Sequence, residues 1–121
     1  MATMKAIQVR SAGADFELVE REIPQPGDFE VLIKVEACGV CHGDALAKEG
    51  GFPGLSYPRV PGHEVVGTIQ KLGARVTTWH MGQRVGVGWH GGHCGFCDAC
   101  RKGDFNACKT CLLYTSDAAD E

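Results

Sequence analysis

No stretch of this 121-residue chain approaches the ~20 consecutive apolar residues that a membrane-spanning helix needs. The opening run Met1-Ala2-Thr3-Met4-Lys5-Ala6-Ile7 has no apolar h-region, so no secretory signal is read and the cytoplasm is the expected compartment. A surplus of charge is missing as well. Twelve Lys and Arg against 15 Asp and Glu leave a net charge of -3, which gives no electrostatic case for nucleic acid or an anionic membrane as partner. Heptads and internal repeats are absent. An even cysteine count is absent too: there are seven, which fits a closed disulfide framework poorly. In a reducing compartment those thiols read as metal ligands or reactive groups.

What is present points to one β-rich domain. Hydrophobic residues make up 44%, enough for a core, and 17 glycines with five prolines call for many turns. Apolar–polar alternation marks strands at Lys5 to Arg10, Phe16 to Glu20, Glu30 to Ala37, His63 to Leu72 and Arg84 to Gly88. In the fourth, Val65, Gly67 and Ile69 share one face, and Val66, Thr68 and Gln70 the other. The first three strands fall within about 35 residues and suggest an antiparallel barrel or meander. Asp44 to Glu49, rich in alanine, leucine and lysine, is the expected helical turn.

Two clusters carry chemistry. Late in the chain, Cys94-x2-Cys97-x2-Cys100-x7-Cys108 offers four thiolates within fifteen residues. A two-residue spacer lets a turn aim successive sulfurs at one centre, and the longer arm through Gly103 and Asp104 lets the chain loop back with the fourth. Four thiolates saturate a tetrahedral zinc, so this site reads as structural, with Arg101 and Lys102 screening its negative charge. An iron–sulfur cluster, a redox dithiol and free thiols are the alternatives. The earlier cluster centres on Pro61-Gly62-His63-Glu64-Val65-Val66-Gly67, with Cys41 twenty-two residues upstream of His63. A thiolate and an imidazole beside a carboxylate leave a metal with an open position, the arrangement of a Lewis-acid site. Asp44, three residues after Cys41, could accept the second ring N–H of His63 and fix its tautomer. Each residue alone also has a plainer account: a core histidine, a small buried thiol, a solvated carboxylate. Cys38 reads as a buried thiol of that kind, and His80, His90 and His93 as no part of the catalytic centre.

Residues 4–109 resemble the N-terminal catalytic part of zinc-dependent medium-chain alcohol dehydrogenases. The resemblance rests on Cys38-Gly39-Val40-Cys41-His42-x-Asp44 and on Tyr57-Pro58-Arg59-Val60-Pro61-Gly62-His63-Glu64, extended through Gly67, Gly73 and Val76. It rests also on the four-cysteine lobe after Gly82-Gln83-Arg84-Val85-Gly86-Val87-Gly88-Trp89. It implies a mainly β, GroES-like, partly open barrel with a short helix. It implies that Cys41 and His63 ligate a catalytic zinc with Glu64 beside it or ligating transiently, and that Asp44 supports them. Cys94, Cys97, Cys100 and Cys108 would hold the structural zinc. His42 would contact the cofactor's pyrophosphate, and Phe52 and Trp89 would line an alcohol pocket. The implied reaction moves a hydride between a small alcohol or aldehyde and NAD or NADP, with zinc as Lewis acid, in a protein that is homo-oligomeric at full length.

Two departures from the pattern stand out. Gly43 occupies a position where the family usually has a serine or threonine hydroxyl that starts a proton relay. The family's third protein ligand, a distal cysteine, and its Rossmann domain are missing, and no Gly-x-Gly-x-x-Gly fingerprint is read. The chain is therefore expected to be truncated and inactive by itself. A stand-alone zinc-binding structural or interaction module and a thiol-based redox sensor are the rival readings. Domain bounds are expected at 1–110, with 111–121 a non-native tail. One back-translation of Cys111 to Glu121 spells a transposon-end sequencing adapter in a single frame. Long-read sequencing of the locus is expected to show a different continuation after Lys109 or Thr110; an intact stop codon after Glu121 would contradict it.

Overall fold

The computed structural model describes residues 2–90 and 92–108. The tail expected at 111–121 lies outside the described residues. Among the described residues, five strands and two short helices follow one another: β1 (Thr3–Val9), β2 (Phe16–Glu22), β3 (Val31–Cys38), α1 (His42–Glu49), β4 (Val65–Leu72), β5 (Arg84–Val87) and α2 (Asp98–Arg101), then a 3-10 turn at Phe105–Ala107. Each alternating segment of the sequence became a strand, with its ends moved by no more than two residues. Among the described residues no helix is long and apolar enough to cross a membrane.

The strands form two antiparallel sheets, β1-β2 and β3-β4-β5, not the continuous meander expected of the first three. The reason lies between β2 and β3. Pro24 and Pro26 cannot donate to a ladder, and the segment they occupy is too long and stiff for a tight hairpin. β3 turns instead to β4, pairing Val31 with Leu72 and Cys38 with Val65, with irregularities at Leu32/Ile33 and Val35/Ala37. A bridge between Val9 and Arg59 ties β1 to the loop that precedes β4, through Val9 N–H to Arg59 O at 2.8 Å and Arg59 N–H to Val9 O at 2.9 Å.

The core lies between these layers. Ala6 and Val9 of β1, Ile33 of β3, Ala47 of α1, Val60, and Val65 and Ile69 of β4 are buried. Burying a side chain of valine or isoleucine size contributes roughly 1.5–3 kcal/mol. The alternation in β4 lands as expected: Val65, Gly67 and Ile69 face inward and Val66 and Gln70 outward. An apolar cavity of about 470 Å³ separates β1 from β3, with Ala6, Ile33, Val35 and Val60 in its wall.

Gly67 shows how tightly β3 and β4 approach. A Cβ there would stand 2.3 Å from the Lys34 carbonyl oxygen and 2.6 Å from Ile33 Cγ2. Backbone on one side and a core side chain on the other leave no room to yield. Gly67→Ala is expected to cost about 1–3 kcal/mol, read as a lower thermal midpoint of the zinc-loaded chain. An unchanged midpoint would show that β3 can move away from β4.

Candidate metal centres

The β3–β4 register builds the first centre. Because Cys38 pairs with Val65, the chain leaving β3 runs beside the chain entering β4, and Gly39 N–H donates to the Glu64 carbonyl at 2.9 Å. Cys41 follows within three residues of the end of β3, and His63 sits just before β4. Gly62, at φ 137°, takes a backbone conformation that favours glycine and turns His63 toward Cys41. Their donor atoms, Cys41 Sγ and His63 Nε2, are 2.8 Å apart.

The N-terminus of α1 holds the thiol from the other side. Cys41 is the N-cap, a place usually taken by serine, threonine, aspartate or asparagine. Its sulfur accepts the Gly43 N–H at 3.2 Å, while the Asp44 carboxylate accepts the Cys41 N–H through Oδ2 at 3.1 Å. This reciprocal pair is a capping box in which sulfur replaces oxygen. The second carboxylate oxygen, Oδ1, lies 3.4 Å from His63 Nδ1. Neither of those two atoms makes a well-aligned hydrogen bond among the described residues, although both are buried. The two atoms are thus neighbours without a formed hydrogen bond between them. Asp44 itself is buried, so a carboxylate with no cation of its own touches both prospective ligands.

The donor atoms of Cys41, Asp44 and His63 all lie within 4.8 Å of one another. That set fits a first-row ion with thiolate and imidazole taste. Two donors on a tetrahedral zinc would stand about 3.5 Å apart, so loading the site opens the sulfur–nitrogen pair slightly. Glu64 is not among the three. It is exposed, and its carboxylate lies over Gly39, where an added Cβ would meet Oε2 at 2.5 Å. Gly43 leaves the space beside the pair open, since a Cβ there would stand 3.0 Å from His63 Cε1 and 3.3 Å from Cys41 Sγ. His42 opens α1 and is exposed. Phe52 is half-buried in the loop after α1, and Trp89 is 45% exposed after β5, with its ring edge-on to His90. Neither lines the cavity between β1 and β3. Cys38, expected to be buried, is exposed at the end of β3, where it lines the open cavity between β1 and β3.

The second centre is built by turns. Cys97 caps α2, whose single turn brings Cys100 round to the same side, and the 3-10 turn delivers Cys108. The four sulfurs lie within 4.8 Å of one another. Cys94 Sγ and Cys100 Sγ are 3.9 Å apart, close to the ~3.8 Å that two thiolates keep on a tetrahedral zinc. Backbone N–H groups of Phe96 and Cys97 both donate to Cys94 Sγ at 3.3 Å, and Cys94 N–H donates to Cys108 Sγ at 3.4 Å. Such donors favour thiolate. Without a metal, burial and then the neighbouring thiols push the Cys100 thiol up to about 12, against a nearby backbone donor from Gly95 that lowers it. Unfolded thiols ionise near 9, so a metal-free lobe binds more protons folded than unfolded above that pH and loses stability as pH rises. A cation removes the penalty by taking the place of the protons.

The alcohol dehydrogenase GroES-like domain family matches residues 27–117. The chain belongs to this family. It is 43% identical over 108 residues to an alcohol dehydrogenase of Aspergillus sp. (strain MF297-2), covering 89% of this chain and 32% of that protein. It is 49% identical over 102 residues to an alcohol dehydrogenase of Rhizobium meliloti, covering 84% of this chain and 30% of that protein. In three dimensions it superposes on a cobalt- and zinc-bound thermostable alcohol dehydrogenase from Pyrobaculum aerophilum with a TM-score of 0.85 and 29% identity. That match covers 98% of this chain and 37% of the other. The GroES-like domain seen here thus spans about a third of the length of the relatives it matches.

One reading of the sequence needs correcting. The letters of the dinucleotide fingerprint do occur, at Gly86, Gly88 and Gly91. The first two lie in and just after β5, and the described residues that follow lead into the cysteine lobe with no helix before α2, which has a single turn. A dinucleotide fingerprint needs a glycine turn opening a helix at its N-terminus, so the match is one of letters only. The support of Cys41 Sγ by the Gly43 N–H was also not anticipated. A thiol three residues before the expected helical segment was the available signal.

Asp44→Asn keeps the shape of the side chain but removes the charge that faces His63. Zinc affinity at the Cys41–His63 centre is expected to fall about 10–100-fold, measured by chelator competition, with zinc at the cysteine lobe retained. Equal loss at both centres would point to general unfolding instead.

Proposed function

We propose that the full-length protein is a zinc-dependent oxidoreductase of the alcohol dehydrogenase type, and that residues 1–110 are its amino-terminal catalytic domain. The observation that carries this reading is the meeting of Cys41 and His63 over the shared carboxylate of Asp44, in a domain of this family. Cys41 and His63 would hold the catalytic zinc, and Glu64 reaches it only by leaving its place over Gly39. Zinc bound there supplies a Lewis acid toward the alcohol or aldehyde oxygen, and NAD or NADP exchanges the hydride.

The chain's own residues prepare for that chemistry. Asp44 orients His63 so that Nε2, not Nδ1, faces the metal position, and the Gly43 N–H holds the Cys41 sulfur. With no hydroxyl at Gly43, proton release from the substrate falls to His42, at the exposed start of α1, or to water. His42 also stands in the part of the site given to the cofactor's pyrophosphate, while Phe52 and Trp89 flank the substrate. Cys94, Cys97, Cys100 and Cys108 hold the second zinc, which is structural because its ligands fill the tetrahedron. The working protein is cytoplasmic and homo-oligomeric in this reading.

A second reading draws on the completeness of the four-cysteine centre. It takes the chain as a zinc-binding module without catalysis. The two part at zinc content and turnover. The full-length protein is expected to carry close to two zinc ions and to oxidise alcohols with NAD or NADP. Residues 1–121 alone are expected to keep about one and to produce no reduced cofactor. Elemental analysis with a cofactor absorbance assay checks both. A full-length protein with two zinc ions and no alcohol-dependent reduction would favour the module.

A further inference from the structure

We propose that His90 and His93 form an auxiliary site for a first-row divalent ion of nickel, copper or zinc type, separate from both cysteine-containing centres. His90 Nε2 and His93 Nδ1 face each other at 3.1 Å. Two imidazole nitrogens bound at ~2.0–2.1 Å to one ion stand about 2.9 Å apart at a right angle and about 3.3 Å apart at the tetrahedral angle. The observed separation falls between the two. The spacing of the two nitrogens therefore already suits a shared ion, and ligation asks that the rings tilt so that both lone pairs converge on it.

The rings are held for it. His93 stacks on Phe105 with centroids 4.1 Å apart and planes at 27–28° to both Phe105 and His90. Trp89 meets His90 edge-on at 6.0 Å. Trp89, His90, His93 and Phe105 thus form a row of four rings from the end of β5 to the 3-10 turn. A stacked ring at one end and an edge-on ring at the other limit rotation of the imidazoles, which lowers the ordering cost of ligation.

In the metal-free pair, one facing nitrogen carries the proton and donates to the other. When an ion binds, that proton moves to the far nitrogen of its own ring, and both facing nitrogens offer lone pairs. No net proton or electron is gained or lost. His93 is exposed and His90 half-buried, so water can fill the remaining positions. Two protein donors make this a weaker site than four thiolates, one that fills after the cysteines.

The test uses the zinc-replete full-length protein, in which both thiolate-containing centres are occupied, with Ni²⁺ as probe. Substoichiometric Ni²⁺ is expected to broaden the ring-proton resonances of His90 and His93 together, ahead of those of His42 and His80. His90→Gln is expected to weaken Ni²⁺ binding at least about tenfold by calorimetry. Zinc content of that variant, unchanged at the cysteine lobe, shows that the lobe still folds; should it fall, the broadening pattern of the unaltered chain decides alone. Broadening spread evenly over all the exposed histidines, or His90→Gln binding as tightly as the parent, would overturn the site and leave a hydrogen-bonded histidine pair only.

Discussion

Asp44 spends one buried carboxylate on two neighbours. One oxygen accepts the Cys41 N–H and so begins α1; the other faces the ring of His63. Cys41 stands beyond the end of β3 and His63 just ahead of β4, and the two would otherwise be joined only by the ladder between those strands. A buried carboxylate without a neutralising partner is costly; here one oxygen accepts the Cys41 N–H and the other lies 3.4 Å from His63 Nδ1, so both of its neighbours belong to prospective ligands. The helix, the strand register and the metal donors are thus set by the same group. Removing it would loosen all three.

The four-cysteine lobe follows a different logic. It has little apolar core: Cys100 and Cys108 are 5% and 1% exposed, but Phe96 and Phe105 project outward. A lobe of this composition gains its order from ligation, on the order of 10 kcal/mol for a structural zinc. Its geometry is local, since turns and one single-turn helix deliver all four sulfurs. The first centre depends instead on long-range packing of β3 against β4, which Gly67 makes possible by admitting the Lys34 carbonyl.

This difference explains what could be read from the sequence. The cysteine lobe was legible because its spacing is itself the geometry. The strands were legible because one face of β4, Val65, Gly67 and Ile69, is buried and the other is not. The division into two sheets was not, since alternation says which face is buried but not which strand is the neighbour; Pro24 and Pro26 were the available hint. Cys41, Asp44 and His63 could be nominated by residue type, yet their meeting depends on the Cys38–Val65 register, which no local pattern encodes. Glu64 illustrates the limit. Adjacent to His63 in sequence, it lies over Gly39 instead of joining Cys41, Asp44 and His63. Adjacent residues in extended chain diverge, so proximity in sequence argued against a shared direction.

The most direct test of this account is the tautomer of His63 in the zinc-loaded full-length protein, read from long-range ¹H–¹⁵N correlations of the ring. If Asp44 organises the centre, Nδ1 carries the proton toward the carboxylate and Nε2 is unprotonated and metal-bound. A proton on Nε2, with Nδ1 bare, would contradict the account, because the nitrogen facing Cys41 could not then be a ligand.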